Sequence, residues 1–158
     1  MTEGRDMALV LERTLAPVRQ RNPAREEAQP KLNIAVIFTS VEATLAALRS
    51  AGALGGRLGA RVTLFAAQVV PYPLPLESPP VLLDFSERRF QAVAGESPVE
   101  TTVRLYLCRD ALETLQAVLA PRSLVVMAGR KRWWPTAERR TARKLRRQGH
   151  EVIFTEME

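Results

Sequence analysis

The sequence predicts an α/β fold, a single doubly wound domain with a five-stranded parallel sheet and helices on both faces. Five short runs are apolar and rich in β-branched residues, as is typical of strands that are buried on both faces. Segments whose apolar residues recur at helical spacing separate these runs. The 158 residues of the chain suffice for one domain with a sizeable core.

The first thirty residues differ from this pattern and predict an N-terminal extension, 1–30. Within it, 5–20 predicts a short helix, and RNPAREEAQP at 21–30 predicts a polar linker because it is charged and contains two prolines. The regular alternation begins at residue 31, so the predicted α/β domain covers 31–158.

The first strand is predicted at NIAVIFT, 33–39, and the second at VTLFAAQVV, 62–70. Between them, Ser40 suits a helix N-cap and Gly59 suits the end of that helix. Glycine lowers helix propensity, so glycines inside this helix predict that its backbone packs closely against the sheet. These glycines are Gly52, Gly55 and Gly56.

The stretch PYPLPLESPP, 71–80, predicts a surface loop because five of its ten residues are prolines. Asp84, with Glu87 three residues later, predicts the acidic cap of a second helix that ends at Gly95. The third strand is predicted at VETTVRLYL, 99–107.

Asp110 and Glu113 predict the capped start of a third helix, which Pro121 ends. The remaining predicted elements are the fourth strand, the last helix and the fifth strand, at 123–128, 136–147 and 151–155. In such a sheet, ligands bind beyond the carboxyl ends of the strands, where the strand order reverses. The loops expected to face that crevice follow Phe38, Val70, Cys108 and Ala128.

Three stretches of the chain resemble the universal stress protein family: NIAVIFTSVEATLAAL, LGARVTLFAAQVVP and SLVVMAGRKR. The resemblance covers 31–156 and implies the doubly wound fold already predicted. It also implies a non-catalytic regulatory or binding module that forms a homodimer through the fifth strand, EVIFT, which would lie at an exposed sheet edge.

Nucleotide-binding members of that family carry an Asp after the first strand and a glycine signature after the fourth, where backbone N–H groups approach phosphate. Here Phe38 occupies the Asp position, and Gly129 matches the first glycine. Arg132 stands at the second glycine, and Pro135 and Thr136 stand where Gly-Ser is expected. We therefore expect that tight ATP binding has been lost and that no cofactor is held; ATP or another adenine nucleotide is the alternative. The candidate nucleotide-binding residues are Thr39, Ser40, Gly129, Arg130, Arg132 and Thr136.

The segment 130–147 carries nine Lys or Arg and a single acidic residue, Glu138, in a chain whose net charge is +6. A solvated helix face is the ordinary interpretation of such a segment. Its single sign favours the alternative, an anionic partner such as nucleic acid or another polyanion. The candidate polyanion-binding residues are Lys131, Trp133, Arg139, Arg143 and Arg146, and the three arginines among them are expected to point to water.

The pair Trp133 and Trp134 has two interpretations. The indoles could stack on bases while the cations of 130–132 take phosphates. Alternatively, one or both could cover the end of the sheet or lie in a dimer contact.

The lone cysteine, Cys108, excludes an intramolecular disulfide, and His150 is the only histidine, so no metal site is expected. Cys108 precedes Arg109 near a helix start, where a thiol pKa can fall, although a buried structural cysteine is the commoner case. No set of nucleophile, base and orienting group is recognisable, so an enzyme is not expected. The single cysteine fits a cytoplasmic location, and no apolar run approaches membrane-spanning length.

Overall fold

The computed structural model describes residues 11–15, 32–79 and 81–158. The strands are β1 (Leu11–Leu15), β2 (Asn33–Ile37), β3 (Arg61–Val69), β4 (Thr101–Cys108), β5 (Leu124–Arg130) and β6 (Glu151–Met157). The helices are α1 (Val41–Leu58), α2 (Leu83–Gly95), α3 (Ala111–Val118) and α4 (Ala137–Arg147).

The six strands form one sheet in the order β1-β4-β3-β2-β5-β6. Strands β2 to β6 pair in parallel, and β1 pairs antiparallel with β4. In β2, Ala35 lies between Thr63 of β3 and Val125 of β5. The predicted doubly wound α/β fold is therefore confirmed, but the sheet is mixed and has six strands instead of five.

Strand β2 shows why the sheet is buried on both faces. Its side chains alternate, so Ile34 and Val36 belong to one core while Ala35 and Ile37 belong to the other. Helices α1 and α2 pack on the first face, and α3 and α4 pack on the second. Because Ile34 to Ile37 are buried, these four residues form a continuous apolar run, and the exposed Asn33 precedes them.

The helix caps follow the sequence closely at two helices. The Ser40 hydroxyl accepts a hydrogen bond from the Ala43 N–H at 3.2 Å, and Gly59, with φ of 64°, ends α1. The Asp110 carboxylate accepts a hydrogen bond from the Glu113 N–H at 2.9 Å. Both predicted caps are confirmed.

Residues 11–15 correct the prediction of a helix over 5–20. They form β1, in which Leu15 lies opposite Val103 and is buried in the core. Apolar residues four positions apart, such as Leu11 and Leu15, suit a strand face and a helix face equally, so their spacing could not distinguish the two. Pairing with β4 decides the outcome, because it satisfies backbone groups that an open edge would leave bare. The rest of that predicted helix, and the linker, lie outside the described residues.

The start of α2 also differs from the prediction. The N-cap position is Leu82, which makes no side-chain hydrogen bond to the helix, and Asp84 lies in the first turn instead. A carboxylate there still stabilises the helix through its dipole. The acidic residue therefore marked the correct region and missed the cap by two positions.

Candidate functional site

The strand order reverses between β2 and β5, so the crevice of this doubly wound sheet opens at their carboxyl ends. From β2 the chain continues through α1 to β3 on one side, and from β5 it continues through α4 to β6 on the other. Thr39 and Ser40 follow β2, while Gly129 and Arg130 end β5. Two distant segments thus meet at one point.

A small pocket of about 180 Å³ lies at this reversal, and we name it the switch-point pocket. Five of the six predicted nucleotide-binding residues line it: Ser40, Gly129, Arg130, Arg132 and Thr136. The sixth, Thr39, lies beside it, because its hydroxyl is 3.5 Å from the Ala128 carbonyl oxygen. Glu138 lines the same pocket and Glu42 lies near it, and neither was among the candidate binding residues.

Most polar groups of the switch-point pocket already have partners within the protein. The Ser40 hydroxyl caps α1 and the Thr136 hydroxyl caps α4, because each accepts a hydrogen bond from a backbone N–H of the first helical turn. The Arg130 guanidinium donates a hydrogen bond to the Glu42 carboxylate at 2.7 Å. A bound phosphate would have to compete with that carboxylate for Arg130, which weakens the electrostatic attraction for an anion.

Gly129 meets a packing requirement. A Cβ added there would lie 2.8 Å from Cζ of Phe154 in β6, closer than real Cβ contacts allow. A side chain at this position would force the aromatic ring beside it to shift, which favours glycine whether or not a ligand is present. The match to the first glycine of the family signature has a structural explanation.

Phe38, at the position of the family's Asp, is part of an aromatic cluster. Its ring meets that of Phe90 edge to face, with centroids 4.9 Å apart. The Arg89 guanidinium lies 5.4 Å from the centroid of the Phe38 ring. This position offers an apolar surface where a ribose or base would need a hydrogen-bonding group.

Beside the switch-point pocket lies an exposed surface that we name the basic aromatic surface, consisting of Lys131, Arg132, Trp133, Trp134 and Arg143. These residues border a groove of about 300 Å³. Trp133 is 92% exposed and Trp134 is 48% exposed, with ring centroids 5.3 Å apart and ring planes at 73°. Trp133 therefore does not cover the end of the sheet.

Two of the predicted polyanion-binding arginines do not point freely to water. Arg139 pairs with Glu156, and its guanidinium lies 5.0 Å from the centroid of the Phe154 ring. Arg146 donates a hydrogen bond to the Val152 carbonyl at 2.9 Å. Both side chains attach α4 to β6, because the planar guanidinium can stack and donate at once. Among the three predicted arginines, Arg143 is the one for which the described residues provide no such partner.

Cys108 and His150 have structural surroundings. Cys108 is fully buried, and burial raises the pKa of its thiol above the ordinary value, against the interpretation as a reactive thiolate. The buried His150 accepts a hydrogen bond from the Ser123 N–H at 3.0 Å through Nδ1. Within the described ranges, no three His, Cys, Asp or Glu side chains gather as a metal-binding group. No described helix is both long and apolar enough to cross a membrane.

Comparison with known proteins gives a structural similarity. The chain matches no family model and no curated protein. It is similar to the crystal structure of a universal stress protein in complex with cAMP, with 15% sequence identity and a TM-score of 0.44 over 78% of this chain and 95% of that chain. A TM-score below 0.5 leaves the family open, so the fold assignment rests on the strand order and connections described above.

Proposed function

We propose that this chain is a non-catalytic, universal stress protein-like binding module of the cytoplasm that has lost tight ATP binding. Its ligand surface is the basic aromatic surface, and its ligand is single-stranded nucleic acid. Bases stack on Trp133, while the cations around it contact phosphates. The sequence resemblance and the doubly wound strand order support the family assignment.

The observation that carries the proposal is the exposure of Trp133, of which 92% is accessible to water. A large aromatic side chain is seldom left so exposed without a partner, because burying it would remove apolar area from water. Its surroundings are cationic: Lys131, Arg132 and Arg143 border the same groove, and the acidic residue there, Glu156, is paired with Arg139. An exposed ring among cations that no described carboxylate neutralises suits a base and its phosphates.

The loss of tight ATP binding is supported by the switch-point pocket. Its volume of about 180 Å³ is below the ~300–1,000 Å³ of ordinary ligand pockets. The Arg130 guanidinium is already bonded to the Glu42 carboxylate. Phe38 stands where nucleotide-binding universal stress proteins have an Asp. Size, charge and the missing carboxylate all weaken the attraction for a nucleoside triphosphate.

Fluorescence anisotropy with a labelled oligothymidine tests the nucleic-acid proposal. We expect affinity of about micromolar or weaker at physiological salt that falls steeply as salt rises, because each neutralised phosphate releases counterions. Trp133→Ala should cost about 1–3 kcal/mol of binding free energy and leave the melting temperature unchanged, since the ring is exposed.

The double variant Lys131→Glu and Arg143→Glu should abolish binding. Arg143→Glu alone should weaken binding strongly, and Arg49→Glu, an exposed residue of α1 that undergoes the same change of charge, is the matched control that should change it little. An anisotropy that stays flat for the wild-type protein even at low salt would contradict the proposal. So would an equal loss for Arg49→Glu, because it would show an effect of net charge instead of a site.

A second candidate function is adenine nucleotide binding at the switch-point pocket. It is favoured by the convergence of five predicted residues from two distant segments on one pocket. Calorimetry with ATP separates the two candidates. If titration with ATP gives no measurable heat of binding, the result supports the loss of tight ATP binding. A micromolar affinity for ATP that the Arg132→Met variant weakens would favour this second candidate.

A further inference from the structure

We propose that a cavity at the amino-terminal ends of β2, β3 and β4 binds a small amphipathic carboxylate. The cavity, which we name the amino-end cavity, measures about 730 Å³ and lies at the opposite end of the sheet from the switch-point pocket. Its volume falls within the ~300–1,000 Å³ of ordinary ligand pockets. The inference is independent of the proposed function.

The amino-end cavity exists because α3 is too short to cover its face of the sheet. The eight residues of α3 span about 12 Å, whereas the nine residues of β3 span about 30 Å. Helix α3 starts after the carboxyl end of β4 and returns across the face that carries Phe65 and Tyr106. Its end at Val118 therefore borders a stretch of sheet that no described helix covers.

The lining of the cavity combines an apolar wall with a few polar groups. Leu15, Phe65 and Leu119 supply apolar surface. Across the strands, Thr63 lies beside Thr102 in the sheet register, so two hydroxyl-bearing residues are adjacent on the cavity floor. An apolar wall with a small number of fixed polar groups is the usual composition of a ligand site.

Two arginines, Arg61 and Arg104, give the cavity its charge. The Nη1 atom of Arg104 is 3.9 Å from Oε1 of Glu12, at the limit of an ion pair. The half-buried Arg61 side chain has no carboxylate or other hydrogen-bonding partner among the described residues. A guanidinium beside an apolar wall suits a ligand that has a carboxylate and an apolar chain. The N–H groups of the guanidinium can donate to both carboxylate oxygens, while the wall contacts the apolar chain. The nearby Glu12 disfavours a second negative charge, so the ligand is a monoanion.

Isothermal titration calorimetry with decanoate as the probe tests the proposal. We expect saturable binding that Arg61→Met weakens at least about tenfold, because it removes the charge and keeps most of the side-chain length. Ala120→Trp, on the exposed rim, should also weaken binding by narrowing the cavity. The matched control is Arg57→Met. Arg57 lies on α1, on the other face of the sheet from the amino-end cavity, so this variant should leave the affinity for decanoate unchanged within about twofold.

Decylamine and decanol separate charge from hydrophobicity, and both should bind much more weakly than decanoate. Equal affinity for decanol, or equal decanoate affinity in Arg61→Met, would overturn the proposal. If the Arg61→Met variant does not fold, the affinity of Arg104→Met for decanoate is compared with that of the wild type instead, because the Arg104 side chain is more exposed. Absence of saturable decanoate binding to the wild-type protein would also overturn the proposal.

Discussion

At Gly129, an added Cβ would lie 2.8 Å from Cζ of Phe154, so the neighbouring ring leaves little room for a side chain. The place of Gly129 after an apolar strand matches a phosphate-loop glycine, but the close Phe154 ring also explains a glycine at this position. Arg139 and Arg146 are similar, because they count as surface charge in the sequence but attach α4 to β6 in the structure. The type of residue at one position therefore does not establish that the residue binds a ligand.

Cys108 gives a prediction of pH dependence. Burial raises its thiol pKa in the folded state, so the thiolate forms first in the unfolded chain as pH rises. Its contribution to stability is complete below the ordinary thiol pKa of about 8.5 and is lost as pH rises through the folded-state pKa. We expect urea unfolding between pH 7.5 and 9.5, roughly one unit on either side of that value, to show a steeper loss of stability for wild type than for Cys108→Ala. Parallel pH profiles would contradict this prediction.

At the level of elements, α1 carries glycines with different roles. An added Cβ at Gly52 would overlap Cγ of Pro98, whereas at Gly56 it would meet nothing within 4 Å. At Gly55 the nearest atoms, including those of Ile34 and Val62, are at ordinary contact distance. The prediction of close backbone packing thus applies to Gly52, and its neighbour is a proline before β4 and not the sheet.

These glycines form a matched pair of tests. Gly56→Ala should raise the free energy of unfolding by about 0.5–1 kcal/mol, because alanine favours the helix and the position is exposed. Gly52→Ala should lower it by about 1–3 kcal/mol, because the methyl group overpacks against Pro98. Urea denaturation of both variants measures the two values. Changes of the same sign would show that local packing does not control the effect.

At the level of the whole molecule, β6 lies at one edge of the sheet and Ile153 in it is 39% exposed. An extended edge with exposed apolar side chains favours pairing with a second copy across a two-fold axis. We propose that the protein is a homodimer through β6. Light scattering should then give about twice the 17.6 kDa mass of the chain.

Ile153→Lys should shift this equilibrium to monomer, because lysine on an edge strand opposes pairing. Val69→Lys, which changes a similarly exposed residue at the end of β3, should leave the dimer intact. A monomeric wild-type protein at tens of micromolar, or loss of the dimer in both variants, would contradict the proposal.

The sequence by itself determined the parts of this protein that depend on local interactions. Buried parallel strands must be apolar on both faces, and helix ends need partners for free N–H groups, so five strands and the caps at Ser40 and Asp110 were predictable. It also placed the candidate nucleotide residues at one crevice, because parallel strands bring their carboxyl ends to one edge.

Only the tertiary structure decided what depends on contacts between distant residues. The pairing of 11–15 with β4, the Arg130 to Glu42 ion pair and the amino-end cavity each join segments far apart in the chain. Periodicity reports which side of an element is buried and does not report what lies against it. The exposure of Trp133 follows the same rule, because whether an aromatic ring is covered depends on the elements that the fold brings over it.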